Sequence, residues 1–430
     1  MTDIDALAER QLNDPHYLQS VTQLGDTCPI VASREIHASS GMKLINAGMR
    51  VNSSLYDRLL QHKLVPSLDE SLTIENTVTG ASLEEYASRT LQEEKRLALI
   101  QSTQLDGKTL PQILKQVPLN PAIAFKLTVM REANTELFRH SIFVALVSTY
   151  IGMQLQLNKY QLTDLATAAL LHDIGILHID PKLLKRDHQM TEVERRHLYV
   201  HSVTGGMVLS AYPEYKNKVL DAVLQHHERL DGSGYPRGLK SGEIGQLGQV
   251  VAVAEIVASR YSNDDVENNW SRLETILKLN LRRYGGDLVP YLKVFYQDDR
   301  DVPPCSESEQ QAAQDNMSRI SAIFSAWERA QDGFDTKDPV SAFINERMTN
   351  LKLEIVDAGL YLNAEDGNLL GIKEDPRACF DARILLEETL WQLRGIIRAI
   401  RRRWPSIDED GSVRSSNGLK EWIREVEALL

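Results

Sequence analysis

Residues 226–236 read HHERLDGSGYP: two adjacent histidines and a glutamate, then a loop built on Gly232 and Gly234. The stretch before it is an apolar helical turn, so His226, His227 and Glu228 stand at a helix end. Asp231 to Gly238 must be a loop, because glycines at this density supply backbone conformations and close approaches that a side chain would block. Working outward, four more segments offer side chains of the same chemical kind. Glu136 and His140 are four apart on a predicted helix and share its face. His172-Asp173 ends the apolar run LATAALLHDIG, with Gly175 placed to terminate that helix. His201 opens HSVTGG, whose small residues admit a close neighbour. Glu255 lies inside QVVAVAEIVA, where an unpaired carboxylate is costly to bury.

Eight of the eleven histidines fall between residues 140 and 227. A lone histidine on an apolar helix is more often a hydrogen-bonded core residue than a ligand. His16, His37, His62, His178, His188 and His197 are read that way. Five helical segments with ligand-type side chains inside about 120 residues are a different case, since burying so many polar groups without a shared cation is expensive. The expected centre is polynuclear.

The ordered set Glu136-x3-His140, His172-Asp173-x-Gly175, His201-x3-Gly205 and His226-His227-Glu228-x2-Asp231-Gly232-x-Gly234-Tyr235-Pro236 resembles the HD-GYP family. These are HD-type phosphohydrolases associated with cleaving cyclic di-GMP, and the likeness covers about residues 125–298. Gly286-Asp287-Leu288-Val289 before Phe295 is similar to the family's closing helices. The resemblance implies that His140, His172, Asp173 and Glu255 hold one metal ion. Asp173 would bridge to a second ion, completed by His201, His226 and His227, and Glu136 matches a ligand of members that take a third. His172 and Asp173 are then the centre of catalysis. Neutral imidazoles leave such a site a net positive field for a phosphate, and a bridging carboxylate suits in-line displacement at phosphorus by an activated water. Glu228 and Asp231 are read as loop-stabilising groups, with Gly232, Gly234, Tyr235 and Pro236 shaping the substrate pocket. Nitrogen and oxygen donors without thiolates suit iron, manganese, cobalt, nickel or zinc; iron or manganese is what the family implies.

Three positions depart from the family. Ile176 replaces the lysine of His-Asp-x-Gly-Lys, removing a point charge from the pocket. Glu255 stands for an aspartate, one methylene longer. Arg260-Tyr261 comes sooner than the family's arginine and lacks its proline, so Arg260 is an uncertain match. These changes spare ion binding and bear on substrate and rate. A non-catalytic module that binds cyclic di-GMP or a protein partner is therefore the competing expectation.

The rest of the chain frames this region. With 430 residues, 42% hydrophobic and 25% charged, it can bury large cores. A net charge of −12 argues against DNA or RNA as partners; a small nucleotide remains the expected ligand. No run of about 18 apolar residues occurs, and the polar, acidic N-terminus is no signal peptide, so a cytoplasmic protein with no membrane contact is expected. Cys28, Cys305 and Cys379 are scattered and read as reduced thiols. The fold class expected is mainly α: an all-helical HD-type domain with a small N-terminal α+β module and a helical C-terminal extension. Residues 1–105 form the module, with short strands at Pro29 to Ala32 and Met42 to Ile45. A helix follows, capped by Asn52 or Ser53 and burying Leu55, Leu59 and Leu60. Another runs to about Gln101 from a Ser82/Glu85 capping box. Residues 106–299 form the HD domain, with helix starts at Pro111 and Pro121. Residues 300–430 form helices near 307–330, 338–362, 378–403 and 418–429. The arginines 394, 398 and 401–403 read as a solvated face with cations at a helix C-terminus. A homodimer or signalling partner is possible through the flanks.

Overall fold

The computed structural model describes residues 3–12, 15–185, 187–261, 266–296, 305–331, 333–334, 338–359, 375–404, 407 and 417–430, without the side chains of 3, 260–261, 266–271 and 417. The chain is mainly helical and forms two compact units, Met1–Ser262 and Asn263–Leu430.

Unit 1 begins with α1 (Asp3–Leu12) and α2 (Pro15–Thr27), then a set of short strands. β1 (Ile30–Ala32) pairs antiparallel with β5 (Leu72–Ile74), and β2 (Ile36–Ala38) lies between β3 (Lys43–Ile45) and β4 (Leu64–Val65). Between these strands, Asn52 caps a 3-10 turn that continues into α3 (Tyr56–Leu60). Leu59 is buried there but Leu60 is 46% exposed, so the helix presents a narrower apolar face than its sequence suggested. The short α4 (Leu68–Ser71) precedes β5.

α5 (Gly80–Glu93) is capped by Thr79, whose hydroxyl accepts from Ser82 N while Ser82 Oγ accepts from Thr79 N. Ser82 is thus the inner member of the box, not the cap expected with Glu85. The helix ends at Glu93, before the short α6 (Lys95–Ala98). A hairpin follows, β6 (Gln104–Leu105) with β7 (Lys108–Thr109), turning through Asp106 and Gly107, both at positive φ. Asp-Gly is the sequence that such a tight turn favours.

The helical body starts at α7 (Leu110–Leu114) and α8 (Pro121–Ala133), each with proline in its first turn as expected. α9 (Thr135–Gln154) and α10 (Lys159–Leu171) form an antiparallel pair. Gly152 lets Leu162 and Leu165 approach so closely that a Cβ would lie 2.7 Å from Leu165. Asn158 caps α10 by accepting from Tyr160 N and Gln161 N. After a 3-10 turn (Ile174–His178) come α11 (Glu192–Tyr199), α12 (His201–Ser210), α13 (Asn217–Gln225) and α14 (Gln246–Tyr261). α14 packs on both α9 and α13.

Unit 2 contains α15 (Val266–Leu279), α16 (Leu281–Tyr284), α17 (Glu307–Gln331), α18 (Pro339–Asp357), α19 (Pro376–Arg403) and α20 (Asn417–Leu429). α17 packs on α19 and α20 around Ile320, Phe324, Leu386, Ile400 and Trp422. The division between these compact units falls before α15. The reason is packing: Ile276 of α15 is buried against Phe380 and Ile384 of α19, and Thr275 donates to Asp381 at 2.9 Å.

The expectation of three free thiols is corrected. Cys305 and Cys379 are disulfide-bonded across 74 residues, with Cα atoms 6.4 Å apart, and Cys28 is free. Linear spacing carries no signal for a pair that only folding brings within bonding reach. Arg401 is also not simply solvated: its guanidinium holds Glu427 of α20 with bonds of 2.8–3.0 Å. Among the described residues no helix is long and apolar enough to cross a membrane.

Candidate metal centre

Five elements of unit 1 bring seven of the expected donors together. His140 projects from the second turn of α9 and Glu255 from α14. His172 caps the C-terminus of α10, with Asp173 next in the chain. His201 opens α12, and His226 with His227 follow α13. They form two groups, His140–His172–Glu255 and Asp173–His201–His226–His227, and in each the donor atoms all lie within 4.8 Å of one another. Asp173 joins the groups. Its Oδ2 is 3.3 Å from His172 Nε2, and its Oδ1 is 3.2 Å from His201 Nε2 and 3.7 Å from His226 Nε2. Glu255 Oε2 stands 3.0 Å from His140 Nε2 and 3.3 Å from His172 Nε2.

Helix ends set the tautomers. The Nδ1 atoms of His172, His201 and His226 lie 2.7, 2.6 and 2.6 Å from the carbonyl oxygens of Ala169, Leu198 and Val223, each three residues back. A carbonyl only accepts, so each Nδ1 carries the proton and each Nε2 turns its lone pair to the centre. His201 Nε2 and His226 Nε2 then face each other at 3.2 Å as two acceptors. His172 Nε2 and Asp173 Oδ1, both buried, meet no hydrogen-bond donor. Acceptors converging on acceptors in a buried space are what a cation resolves, and the mixed nitrogen and oxygen set fits divalent metal ions.

The electrostatics agree. Burial alone would raise the carboxyls of Asp173 and Glu255, yet the neighbouring imidazoles hold both well below the usual range: His172 and His201 for Asp173, His140 and His172 for Glu255. Burial, reinforced by His172 and His201, pushes His226 down to about 3. Burial and then His226 push His227 down as well. Burial would also lower His172, but Asp173 and Glu255 outweigh it and hold that ring well above its ordinary value. The carboxylates thus stay ionised and His226 and His227 neutral, the states in which they ligate metals, whereas the proton favoured on His172 in the metal-free centre is one that a bound cation would displace.

Two glycines bring the elements this close. A Cβ on Gly175 would lie 2.0 Å from the His201 carbonyl oxygen and 2.7 Å from Gly205 N. Gly175 is therefore not the helix terminator expected. It sits within the 3-10 turn and permits the contact with α12, where the small residues of HSVTGG do admit a neighbour. A Cβ on Gly234 would come 2.4–2.5 Å from the backbone of His227, Glu228 and Arg229. Glu228, 2% exposed, accepts from the backbone N–H groups of Arg237, Gly238 and Leu239 at 2.7, 3.1 and 3.0 Å. Asp231 accepts from Ser233 N and Oγ at 2.9 and 2.7 Å, and Gly232 has φ +74°. Tyr235 stacks on His227 at 4.5 Å between ring centroids and meets Tyr199 in a tilted pair at 4.2 Å, and Pro236 follows it, buried. Tyr199 was missed in the sequence; its proximity to His201 along the chain was the available signal.

One expected donor is not in this assembly. Glu136 is exposed in the first turn of α9 and belongs to neither donor group. The side chain of Arg260 lies outside the described residues. Ile176 is half-buried in the 3-10 turn. His178, read as a core histidine, is buried beside Lys126.

The HD domain family matches residues 118–267. A cyclic di-GMP phosphodiesterase from Pseudomonas aeruginosa is 27% identical over 168 residues, covering 39% of this chain and 41% of the relative. One from Thermotoga maritima is 34% identical over 137 residues, covering 31% and 36%. A 3'3'-cGAMP-specific phosphodiesterase from Vibrio cholerae is 27% identical over 206 residues, covering 46% and 44%. This chain thus spans less than half the length of these curated relatives. The matched region holds the donor-bearing helices, and the His-Asp and His-His-Glu to Gly-Tyr-Pro segments lie inside it: residues 118–267 carry an HD domain, and this part of the chain is similar to cyclic-dinucleotide phosphodiesterases.

Proposed function

We propose that this chain is a metal-dependent phosphodiesterase that opens cyclic di-GMP to the linear dinucleotide, onward to GMP, in the cytoplasm. One observation carries the reading: Asp173 turns one oxygen to each donor group, in a buried centre whose acceptors lack donors. The activities of the relatives, on cyclic di-GMP and 3'3'-cGAMP, support this substrate class. Two divalent ions, iron or manganese, suit the two groups, with His172 and Asp173 central and Glu136 in reserve for a third ion. Bound there, such ions supply Lewis acidity and an activated water at neutral pH. The protein's own part is positional. Backbone carbonyls orient three imidazoles, Glu228 secures the loop, and Tyr235 with Tyr199 forms an aromatic wall suited to a base. Within this reading, residues 106–299 carry catalysis, 1–105 serve as an accessory module, and 300–430 offer surface for a homodimer or signalling partner.

The test is metal analysis of the purified chain, followed by incubation with cyclic di-GMP under reducing conditions with iron or manganese. About two ions per chain and release of the linear dinucleotide are expected. Less than about one ion per chain would sink the polynuclear site. Ile176, in place of the family's lysine, favours a second reading: a non-catalytic module that binds cyclic di-GMP or a protein partner. Its mark would be full occupancy without turnover, unaltered by Asp173→Ala.

A further inference from the structure

The contact between the 3-10 turn after Asp173 and the start of α12 is gripped from both sides by the first two helices of the chain. On one side, Ala8 of α1 packs with Val200 and Val203. Gln11, 2% exposed, donates from Nε2 to the His197 carbonyl at 3.1 Å and accepts from the Thr204 hydroxyl at 2.5 Å. Thr204 lies one helical turn beyond His201. On the other side, buried Lys126 of α8 pairs with Asp69 of α4 at 2.8 Å and donates to His178 Nε2 at 3.3 Å. Its ammonium stands 3.6 Å over the ring of Tyr17 from α2. Tyr17 in turn donates to Asp69 and stacks on His178 at 5.0 Å. His178 closes the five-residue turn that begins directly after Asp173.

These links end on the elements that carry one donor group, and they reach the other only through Asp173, whose Oδ2 faces His172, and through the packing of α8 on α9. Asp173 and His201 sit on the gripped elements, whereas His140, His172 and Glu255 are held by the mutual packing of α9, α10 and α14. A buried lysine is tolerable only while its partners stay in place. Undocking α2 or α4 must therefore displace Lys126, His178 and the short turn leading back to Asp173.

We propose that α1 and α2 form a clamp setting the Asp173–His201 spacing, with Gln11 and His178 as positioning residues, so that the N-terminal module governs one half of the centre more strongly than the other. The inference rests on the metal-centre reading above. It identifies regulation of the site by half-occupancy: release of the clamp empties the Asp173–His201–His226–His227 group first.

The experiment uses the full chain, titrated with Mn(II) and followed by electron paramagnetic resonance and total metal content, with thermal unfolding of the metal-free protein alongside. The wild type is expected to show two classes of site. Gln11→Leu and His178→Phe, the latter keeping the stack on Tyr17 but losing the acceptor for Lys126, should weaken one class by about 10–100-fold, as loss of an outer partner does. The other class, tied to the clamp chiefly through Asp173, should weaken much less. His178→Gln, which restores an acceptor, should recover much of the loss. Unchanged binding in both classes would overturn the clamp. So would parallel weakening of both in step with lost thermal stability, the result of a merely structural role. A wild-type chain that takes up no Mn(II) would instead overturn the metal reading, and the clamp with it.

Discussion

Two buried polar clusters in this chain solve the same problem in opposite ways. In unit 2, Asn280 donates to Glu388 and to the Ile276 carbonyl, and accepts from Gln392 and Arg283, at 2.8–3.1 Å. At Asn280 every bond pairs a donor with an acceptor. In unit 1, His201 and His226 aim lone pairs at each other at 3.2 Å, beside an ionised Asp173. A closed network is an element of stability; an open, acceptor-only cluster is a request for a cation.

The contrast breaks most sharply at Asp173. Asp173→Ala removes the side chain shared by both donor groups. Metal content should fall, and turnover of cyclic di-GMP should drop by more than the roughly 100-fold that loss of an outer partner costs. Metal analysis and product chromatography check both. Retained metal in this variant would refute the bridging role. Glu228→Gln tests the loop. It puts an NH2 group where one carboxylate oxygen accepts, and should cost about 1.5–3 kcal/mol, the scale of a hydrogen bond to a charged group. Denaturant unfolding reads this loss, and amide exchange at Arg237 to Leu239 should quicken.

Asn280→Ala probes the closed cluster. Leaving its buried partners unpaired should cost about 1–3 kcal/mol, seen in thermal unfolding, with metal content unaltered. Metal lost in step with stability would erase the distinction between the clusters. The smallest effect expected is a gain. Ile176→Lys restores the family's charge, and about 1.5 kcal/mol of phosphate interaction would raise turnover roughly tenfold. An unchanged rate would remove the missing lysine as a limit.

Much of the site could be read before folding because its chemistry is local. His226-His227-Glu228 and the glycine loop are one continuous segment, and the loop-holding role of Glu228 follows from a carboxylate beside exposed backbone N–H groups. Gly175 was harder. Its place after an apolar helix suggested a terminator, while its reason is the His201 carbonyl, 26 positions along the chain. Glu136 shares a face with His140 in any helix, yet exposure at the first turn leaves it outside the donor groups. The clamp was illegible altogether, since Gln11 and Thr204 are separated by 193 residues.

The sequence by itself carried the helical class, seven of the eight candidate donors and the likeness to HD-type proteins, because helix periodicity, ligand identity and a contiguous loop are short-range properties of the chain. Only the tertiary structure decided which donors share a group, that Asp173 faces both, that α15 belongs to unit 2 and that Cys305 meets Cys379. Those facts depend on distances between segments remote in sequence, which side-chain packing sets and residue spacing does not encode.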